Sequence, residues 1–480
     1  MVVPLRDLSK YLSRRVNVIN TVNVIGAVIE TTFAKKTKRV FPKKKKGRDT
    51  GTDYCCNLRI MDDTHHNFTI SATVFDKNIE RLPLVTAVGD IIQLRSILVD
   101  TYNGEVNLTY WKKISSFALY KGKDDDILDP YQVSSSDFVP KDEDKIIINK
   151  LRKWLVNFQL HEDFRKFPMF REFKEETVTN LTCKILHHSN VAKDKWVIYA
   201  WDGTDTQPNA ICSNLEDELK HPLPLQRERL PLSREILCTL PTVGSIFRIV
   251  FETGVQKSHL HLLTVGKWVK ITYLRLKLYG GLWHGVFTCH TKLRYISNED
   301  QLIVERQRLA DERLSLISRR MSYLSFPEPL PITAVNHRDH VTPVTLMSVL
   351  THSEVTAIFK CIVRVVAAIP CKAENLCLST EKYKMRLTLK DSTARIHANV
   401  IEEDVVTLFD GYPDDEKWNR KLNRLLGVSD SNGSIGGEKD TTRNPPWVCV
   451  CLKSYYLSED DIWGTRNFRV FDTKILEDSS

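Results

Sequence analysis

The chain has 480 residues, 42% of them hydrophobic and 27% charged, which is ordinary for globular proteins and long enough for about three domains. No stretch approaches the ~20 apolar residues of a membrane span, and the N-terminus lacks the apolar core of a secretion signal. The 11 cysteines are sparse and odd in number, which indicates reduced thiols of the cytosol or nucleus.

The net charge of +9 is concentrated near the N-terminus, where residues 35–48 contain nine Lys and Arg and no acid. The densest part holds Lys43, Lys44, Lys45, Lys46 and Arg48. Such a run is typical of a solvated loop or a nuclear-import signal. Contact with phosphates is a third interpretation, because the loop between the first two strands of a small barrel borders its binding groove. All three stay open from the residues alone.

The segment "FTISATVF" (68–75) predicts a strand with one apolar and one polar face. Alternation assigns to the core face Phe68, Ile70, Ala72 and Val74. The other face is polar except for Phe75, and an exposed ring beside a basic loop is suited to stacking on a nucleic-acid base. The alternative is that Phe75 lies under a neighbouring loop, since isolated exposed apolar residues are common.

A short strand followed by Asp-x-Thr occurs three times, as "LRIMDDT" (58–64), "IYAWDGT" (198–204) and "LTLKDST" (387–393). Asp opens tight turns because its side chain accepts a hydrogen bond from the backbone two residues on. Together with period-2 alternation elsewhere, the three copies predict one β-meander used three times. Three small β-barrels in a row are favoured over sandwiches.

Composition predicts the boundaries between these units. We expect a first domain at 1–122, an acidic linker at 123–145, a second domain at 146–297, a helical connector at 298–330 and a third domain at 331–480. The Leu-, Glu- and Arg-rich segment 298–324 predicts the connecting helix, with Asn298 as a possible N-cap.

In the second unit, "GKWVKITYLRLKLYGG" (266–281) changes parity midway, which predicts a β-bulge near Tyr273. Lys270, Arg275 and Lys277 are then expected to project outward. In the strand predicted at "VFTCHTKLRYI", alternation puts His290, Lys292 and Arg294 on one face. This predicts either a basic strip or an ordinary solvent-facing strand.

Several motifs resemble the protection-of-telomeres family. "GTDYCCNLRIMDD", "VFDKNIERLP" and "VGDIIQLRSILVDTYNG" resemble its first OB-fold, and "NLTCKIL", "WVIYAWDGT" and "VGKWVKITYLRLKL" its second. "PPWVCVCLKSYYLSEDDIWGTRNFRVFDTKI" is similar to the end of its C-terminal domain. The chain is compact, like plant-type members. The resemblance implies an all-β fold of two N-terminal OB-folds and a C-terminal OB-like domain, with a connecting helix.

The resemblance also implies binding of the G-rich single-stranded telomeric 3′ overhang, without a cofactor. It places the stacking aromatics on Phe75 and Tyr102 and further contacts on Gly51, Thr52 and Asp53. The remaining candidates lie in matched segments of the two folds and are Tyr54, Arg95, Phe251, Lys270, Arg275 and His290. The C-terminal domain is implied to dock a telomerase-complex or shelterin-type protein, and the location to be the nucleus, at telomeres. The implied role is to cap chromosome ends and regulate telomerase access.

The chain departs from the family pattern in three places. The basic loop is longer, and no aromatic occurs near Val178. Five residues separate Cys371 from Cys377 and one separates Cys449 from Cys451, whereas a zinc knuckle has two. We therefore expect no bound metal.

Two other functions compete with binding of telomeric DNA. An interaction subunit associated with telomerase, with weak or no DNA binding, is favoured by the missing aromatic and opposed by Phe75 and "GTDY". A nuclease would need carboxylates held in a shaped pocket. The acid clusters at Asp62–Asp63 and Asp124–Asp126 lie in a predicted turn and linker without a His partner, so we expect no enzyme.

Overall fold

The first of three barrels lies at the N-terminal end. A computed structural model describes residues 2–12, 21–38, 52–64, 69–102, 104–122, 127–158, 166–174, 177–192, 195–208, 211, 215, 233, 235–236, 240, 245–252, 257–279, 282–297, 299–315, 332–336, 341–376, 383–411, 414–428 and 442–477. The strands in and around the first barrel are β1 (Thr21–Thr32), β2 (Lys35–Lys38), β3 (Thr52–Met61), β4 (Ile70–Asp76), β5 (Ile91–Tyr102), β6 (Glu105–Thr109), β7 (Ser116–Tyr120) and β8 (Gln132–Val133). The barrel closes in the order β1-β3-β4-β6-β5-β1, with β4 and β6 parallel.

The second barrel repeats this arrangement. Its strands are β9 (Val178–Ala192), β10 (Lys195–Trp201), β11 (Phe247–Phe251), β12 (Trp268–Tyr279) and β13 (Leu282–Phe287), followed by the short β14 (Lys292–Arg294). It closes in the order β9-β10-β11-β13-β12-β9, and β11 is parallel to β13.

The third barrel has the same topology again. Its strands are β15 (Thr333–Val335), β16 (Ile358–Ile369), β17 (Lys384–Lys390), β18 (Arg395–Ile401), β19 (Trp447–Tyr456), β20 (Arg466–Phe471) and β21 (Thr473–Ile475). β16-β17-β18-β20-β19 form a closed barrel in which β18 is parallel to β20. Five-stranded Greek-key closure repeated three times is the OB-fold, so the predicted fold class is confirmed.

Helices fill the ends and junctions of the barrels. The α-helices are α1 (Asp142–Asn157), α2 (Gln301–Ser315), α3 (Leu346–Leu350), α4 (Glu403–Phe409) and α5 (Asp415–Leu426). The short 3-10 helices are Leu5–Tyr11, Ile79–Arg81, Phe170–Glu172, Lys257–Leu262 and Ala373–Asn375. The predicted connecting helix is α2, and its proposed cap Asn298 lies outside the described residues.

From residue 127 onward, the segment predicted to be a linker packs on the first barrel. The Tyr131 hydroxyl donates to Asp90 (2.8 Å), and the Gln132 side chain accepts from the backbone of Leu84 (2.8 Å). Helix α1 then crosses the predicted boundary and buries Leu151 and Leu155 against the outside of the same barrel. The domain limits themselves remain predictions.

Each predicted Asp-x-Thr turn is closed by the same pair of hydrogen bonds. Asp62, Asp202 and Asp391 each accept from both the backbone N–H and the hydroxyl of the Thr two residues on, at 2.7–3.0 Å. Burial raises the pKa of Asp202 and Asp391, and these hydrogen bonds oppose that rise. Asp62 thus lies in the predicted turn and closes it.

Strand β14 joins the first two barrels into one sheet. It pairs with the end of β1 on one side and with β12 on the other. Glu30 is buried there, with its carboxylate 3.4 Å from Lys292 Nζ and 4.0 Å from Arg294 Nε. Just beyond β1, the ring of Phe33 enters the core of the second barrel and contacts Phe287 edge-on, with ring centres 4.9 Å apart. The two barrels therefore share both a sheet and a core residue.

Candidate nucleic-acid interface

Strand β4 presents the predicted aromatic on its outer face. Ile70, Ala72 and Val74 are buried in the core, whereas Phe75 is 36% exposed. The predicted alternation is therefore confirmed over the part of the strand that the structure describes. Phe68 lies outside the described residues. A ring left in contact with water on a regular strand is available for stacking.

A cleft of about 330 Å³ lies on the same outer surface of the first barrel. Backbone register places Arg59 of β3 beside Ser71 of β4, and Ser71 beside Asn107 of β6. Tyr102, which is 72% exposed at the end of β5, forms part of the wall. Lys292 of β14 lines it as well, so the connecting strand contributes a cation to the cleft of the first barrel.

Hydrogen-bonding side chains and charges of both signs line this cleft. Arg59 donates to the hydroxyl of Thr69 (3.2 Å), which holds its guanidinium over the sheet. The acids that line it are Glu30, already paired with Lys292, and the exposed Glu105. The arrangement offers donors for phosphates, amide groups for base edges and an exposed ring for stacking.

Three of the "GTDY" candidates, Thr52, Asp53 and Tyr54, lie next to this surface, on β3. Asp53 is buried, and its backbone pairs with Thr37 of β2. Tyr54 is half-buried, with Lys36 Nζ 5.6 Å from the centre of its ring. Thr52 begins β3, and nothing is described of its side chain. The candidates outside the described residues are Gly51, Lys43, Lys44, Lys45, Lys46 and Arg48.

Arg95 is engaged within the first domain. Its guanidinium donates to Asp144 of α1 and to the carbonyl of Val139, both at 2.9 Å, and stacks on the Phe138 ring at 3.9 Å. Its role as a DNA contact remains a prediction, and its observed role is to hold α1 on the barrel.

In the second barrel, the predicted β-bulge is confirmed and the predicted exposure of the basic residues is partly wrong. The register of β12 against β9 shifts between Ile271 and Leu274, and Tyr273 has a φ of 59°. Lys270 does not project outward: it is buried, with Nζ 2.7 Å from Asp300. Arg275 and Lys277 are exposed as expected.

The predicted basic strip at residues 290–294 is also corrected. His290 lies in the turn before β14 and is exposed, whereas Arg294 is buried beside Glu30. Only Lys292 remains at the surface of β14, because β1 and β12 flank that strand on both sides. Phe251 is half-buried and stacks on Phe287, with ring centres 5.2 Å apart.

The cysteines noted in the third unit differ in burial. Cys451 is buried, Cys371 and Cys449 are half-buried, and Cys377 lies outside the described residues. Over the described ranges, no group of His, Cys, Asp and Glu has the arrangement of a metal site. Within the same ranges, no helix has the length and apolarity that crossing a bilayer requires.

Of the residues that line the first cleft, sequence reasoning named only Tyr102 as a contact, and three of the missed residues are instructive. Asn57 and Arg59 precede the Asp-x-Thr turn on the polar parity of β3, which was a usable signal. Lys292 had been placed in the second unit, and only the pairing of β14 with β1 brings it to the first cleft.

Comparisons with known proteins agree with this architecture. Residues 5–162 match the family model "Telomeric single stranded DNA binding POT1/CDC13", and residues 328–461 match "POT1A-like, OB fold domain". Protection of telomeres protein 1b of Arabidopsis thaliana is 33% identical over 456 residues, which cover 95% of this chain and 94% of that protein. Protein 1a of the same species is 31% identical over 493 residues, covering 99% and 98%.

Among solved structures, the crystal structure of fission yeast Pot1 and ssDNA covers 64% of this chain and 93% of its own, at 14% identity and a TM-score of 0.24. That likeness is too low to argue from. The Arabidopsis proteins, by contrast, align along nearly their whole length at more than 30% identity. The chain therefore belongs to the protection-of-telomeres family.

Proposed function

We propose that the protein binds the G-rich single strand of telomeric DNA through the outer face of its first barrel. The observation that carries this is the exposed ring of Phe75 on a strand whose alternate residues are buried. The cleft with Tyr102, Arg59 and Lys292 on the same surface supports it. Stacking on each ring would contribute about 1–3 kcal/mol, and phosphate contacts would add a salt-dependent contribution.

The family relationship extends the proposal to the biological role. A strand held in this way at a chromosome end would be capped and its access to telomerase regulated. The protein would act in the nucleus, at telomeres, without a cofactor and without catalysis. The third domain would dock a telomerase-complex or shelterin-type protein.

One observation favours a second candidate, an interaction subunit with weak intrinsic DNA binding. The hairpin between β19 and β20 exposes Leu457 (70%) and Ile462 (38%), as expected of a surface that contacts protein. Lys270 of the second barrel is used internally, which would limit the DNA contacts of that barrel.

The test is fluorescence anisotropy of the purified chain with a G-rich telomeric strand at low and near-physiological salt. Controls are the C-rich complement, a scrambled strand, the duplex and the Phe75→Ala variant. Preference for the G-rich strand that is lost in Phe75→Ala supports end binding. Weak, sequence-independent binding that salt abolishes would overturn it in favour of the interaction subunit.

A further inference from the structure

The third barrel carries a row of polar and basic side chains across four adjacent strands. Backbone register places Arg386 of β17 beside Asn399 of β18, Asn399 beside Arg469 of β20, and Arg469 beside Lys453 of β19. With strands about 4.8 Å apart, this basic row is roughly 14 Å long. It lies outside the barrel, because the alternate residues Met385, Leu387, Ala398 and Val400 are in the core.

This row is the topological equivalent of the cleft in the first barrel. There, Arg59, Ser71 and Asn107 follow one another across the second, third and fifth strands of the barrel. Arg386, Asn399 and Arg469 occupy the same three strands of the third barrel. The face formed by strands two and three is the one on which OB-folds bind oligonucleotides. The third barrel therefore has the equivalent face with more positive charge.

Two cations of the row have no carboxylate partner in the described part of the chain. Arg386 is half-buried, and its Nε is shielded from solvent without a hydrogen-bond partner there. Lys453 of β19 is exposed on the same face as Arg469, with which it is paired. Arg469, by contrast, is paired with Asp404. A partly buried charge without a partner is costly, and an anionic ligand would offset that cost.

Polar side chains lie around Arg386 on this face of the barrel. His397 lies on the same face, with Nδ1 3.2 Å from the hydroxyl of Thr388. Burial, followed by the charges of Arg386 and Arg395, lowers the pKa of His397 to about 4. Burial is the larger cause of this shift, and the two guanidinium groups add to it. Asn399 adds an amide group, which donates to the hydroxyl of Tyr455 (3.4 Å), and the ring of Tyr455 is half-exposed beside the row.

We propose that the basic row of the third barrel, Arg386, Asn399, Arg469 and Lys453, binds the phosphate backbone of single-stranded DNA. The choice of nucleic acid as the occupant rests on the function proposed for the equivalent face of the first barrel. This contact would be independent of sequence and would engage strands longer than the first barrel requires. It gives the third domain a ligand of its own in addition to a docked protein.

The experiment compares two G-rich strands on the full-length chain. A strand of about 10 nucleotides fits one barrel, whose site size is ~4–16, and one of about 40 can reach all three. The test variant is Arg386→Gln/Lys453→Gln. The matched control is Lys417→Gln/Arg420→Gln, which removes two exposed cations from α5 in the same domain. Circular dichroism melting establishes that both variants are folded.

We expect the test variant to bind the long strand about tenfold more weakly and the short strand normally. The slope of log Kd against log salt on the long strand should become less steep by about 1.4, as for the loss of two single-strand phosphate contacts. The control should match the parent chain on both strands. Photo-crosslinking of the unmodified chain to the long strand should label β17–β20, which is a readout that needs no variant.

An unchanged affinity and salt slope on the long strand, with no crosslinks to these strands, would overturn the proposal. Binding of poly-L-glutamate that is lost in the test variant, with DNA binding unchanged, would also overturn it and assign the face to an acidic protein segment. Failure of the proposed function looks different, because the short strand would then not bind and Phe75→Ala would have no effect.

Discussion

The backbone N–H of Leu5 donates to the carboxylate of Asp62 at 2.8 Å, across 57 residues of sequence. The same hydrogen bond occurs in the other two barrels. The backbone N–H of Phe170 donates to the carboxylate of Asp202 (2.8 Å), and that of Leu346 donates to the carboxylate of Asp391 (2.7 Å). In every case the donor is the first residue of a short helix that precedes its barrel. One carboxylate thus closes a turn and anchors the helix, because each of its two oxygens accepts separately.

Replacing this carboxylate should destabilise the domain that contains it. Asp391→Ala leaves the buried N–H groups of Leu346, Thr393 and Ala394 without their acceptor. Since each unsatisfied buried donor costs about 1–3 kcal/mol, we expect a loss of about 3 kcal/mol or more in unfolding free energy. Urea denaturation measures it. Asp460→Ala, at an exposed site in the β19–β20 hairpin, should change stability by less than ~0.5 kcal/mol, and equal effects would contradict this account.

Phe33→Ala should loosen the junction of the first two barrels. The ring is only 2% exposed and contacts Phe251 and Phe287 of the second barrel. Truncation of a buried Phe costs about 3–5 kcal/mol. Hydrogen exchange should therefore become faster in β11, β13 and β14. Phe33→Leu, which keeps most of the apolar volume, should have a much smaller effect, and unchanged exchange in Phe33→Ala would rule out this role.

Tyr102→Ala should weaken binding of the G-rich strand by roughly 5- to 150-fold, the equivalent of ~1–3 kcal/mol of stacking. Stability should not change, because the ring is 72% exposed. Anisotropy titration and thermal melting measure the two quantities. Tyr102→Phe retains the ring and should bind nearly as the parent does. If Tyr102→Phe were as weak as Tyr102→Ala, the hydroxyl rather than stacking would be responsible.

His397 should make the third domain sensitive to mild acid. Its folded-state pKa of about 4 lies below the ordinary value of 6.5, so the unfolded chain binds more protons between these values. The titration of His397 therefore leaves the free energy of unfolding unchanged above pH ~6.5. Below that value, the free energy of unfolding decreases as the pH falls towards 4. His397→Asn should flatten this dependence in urea denaturation at several pH values. NMR titration should show the pKa of His397 rising when the long strand binds; a fall would contradict phosphate near Arg386.

Local patterns were sufficient to predict the strands, and they failed where partners came from distant segments. Alternation predicted the burial of Ile70, Ala72 and Val74 and the bulge at Tyr273, because both depend on residues within one strand. Alternation also predicted that the side chains of Lys270 and Arg294 project into solvent, yet both are buried. Their acids, Asp300 and Glu30, come from the connector and the first barrel, and no local period carries that information.

The pairing of β14 with β1 also has a consequence for synthesis on the ribosome. The end of β1, from Glu30 to Thr32, pairs with residues 292–294, which are translated some 260 positions later. Until then this edge has no partner from the second barrel, and exposed edges of this kind invite association with other chains. Nascent chains that stop before β14 should therefore bind chaperones more than chains that extend past it, although the first barrel is already complete.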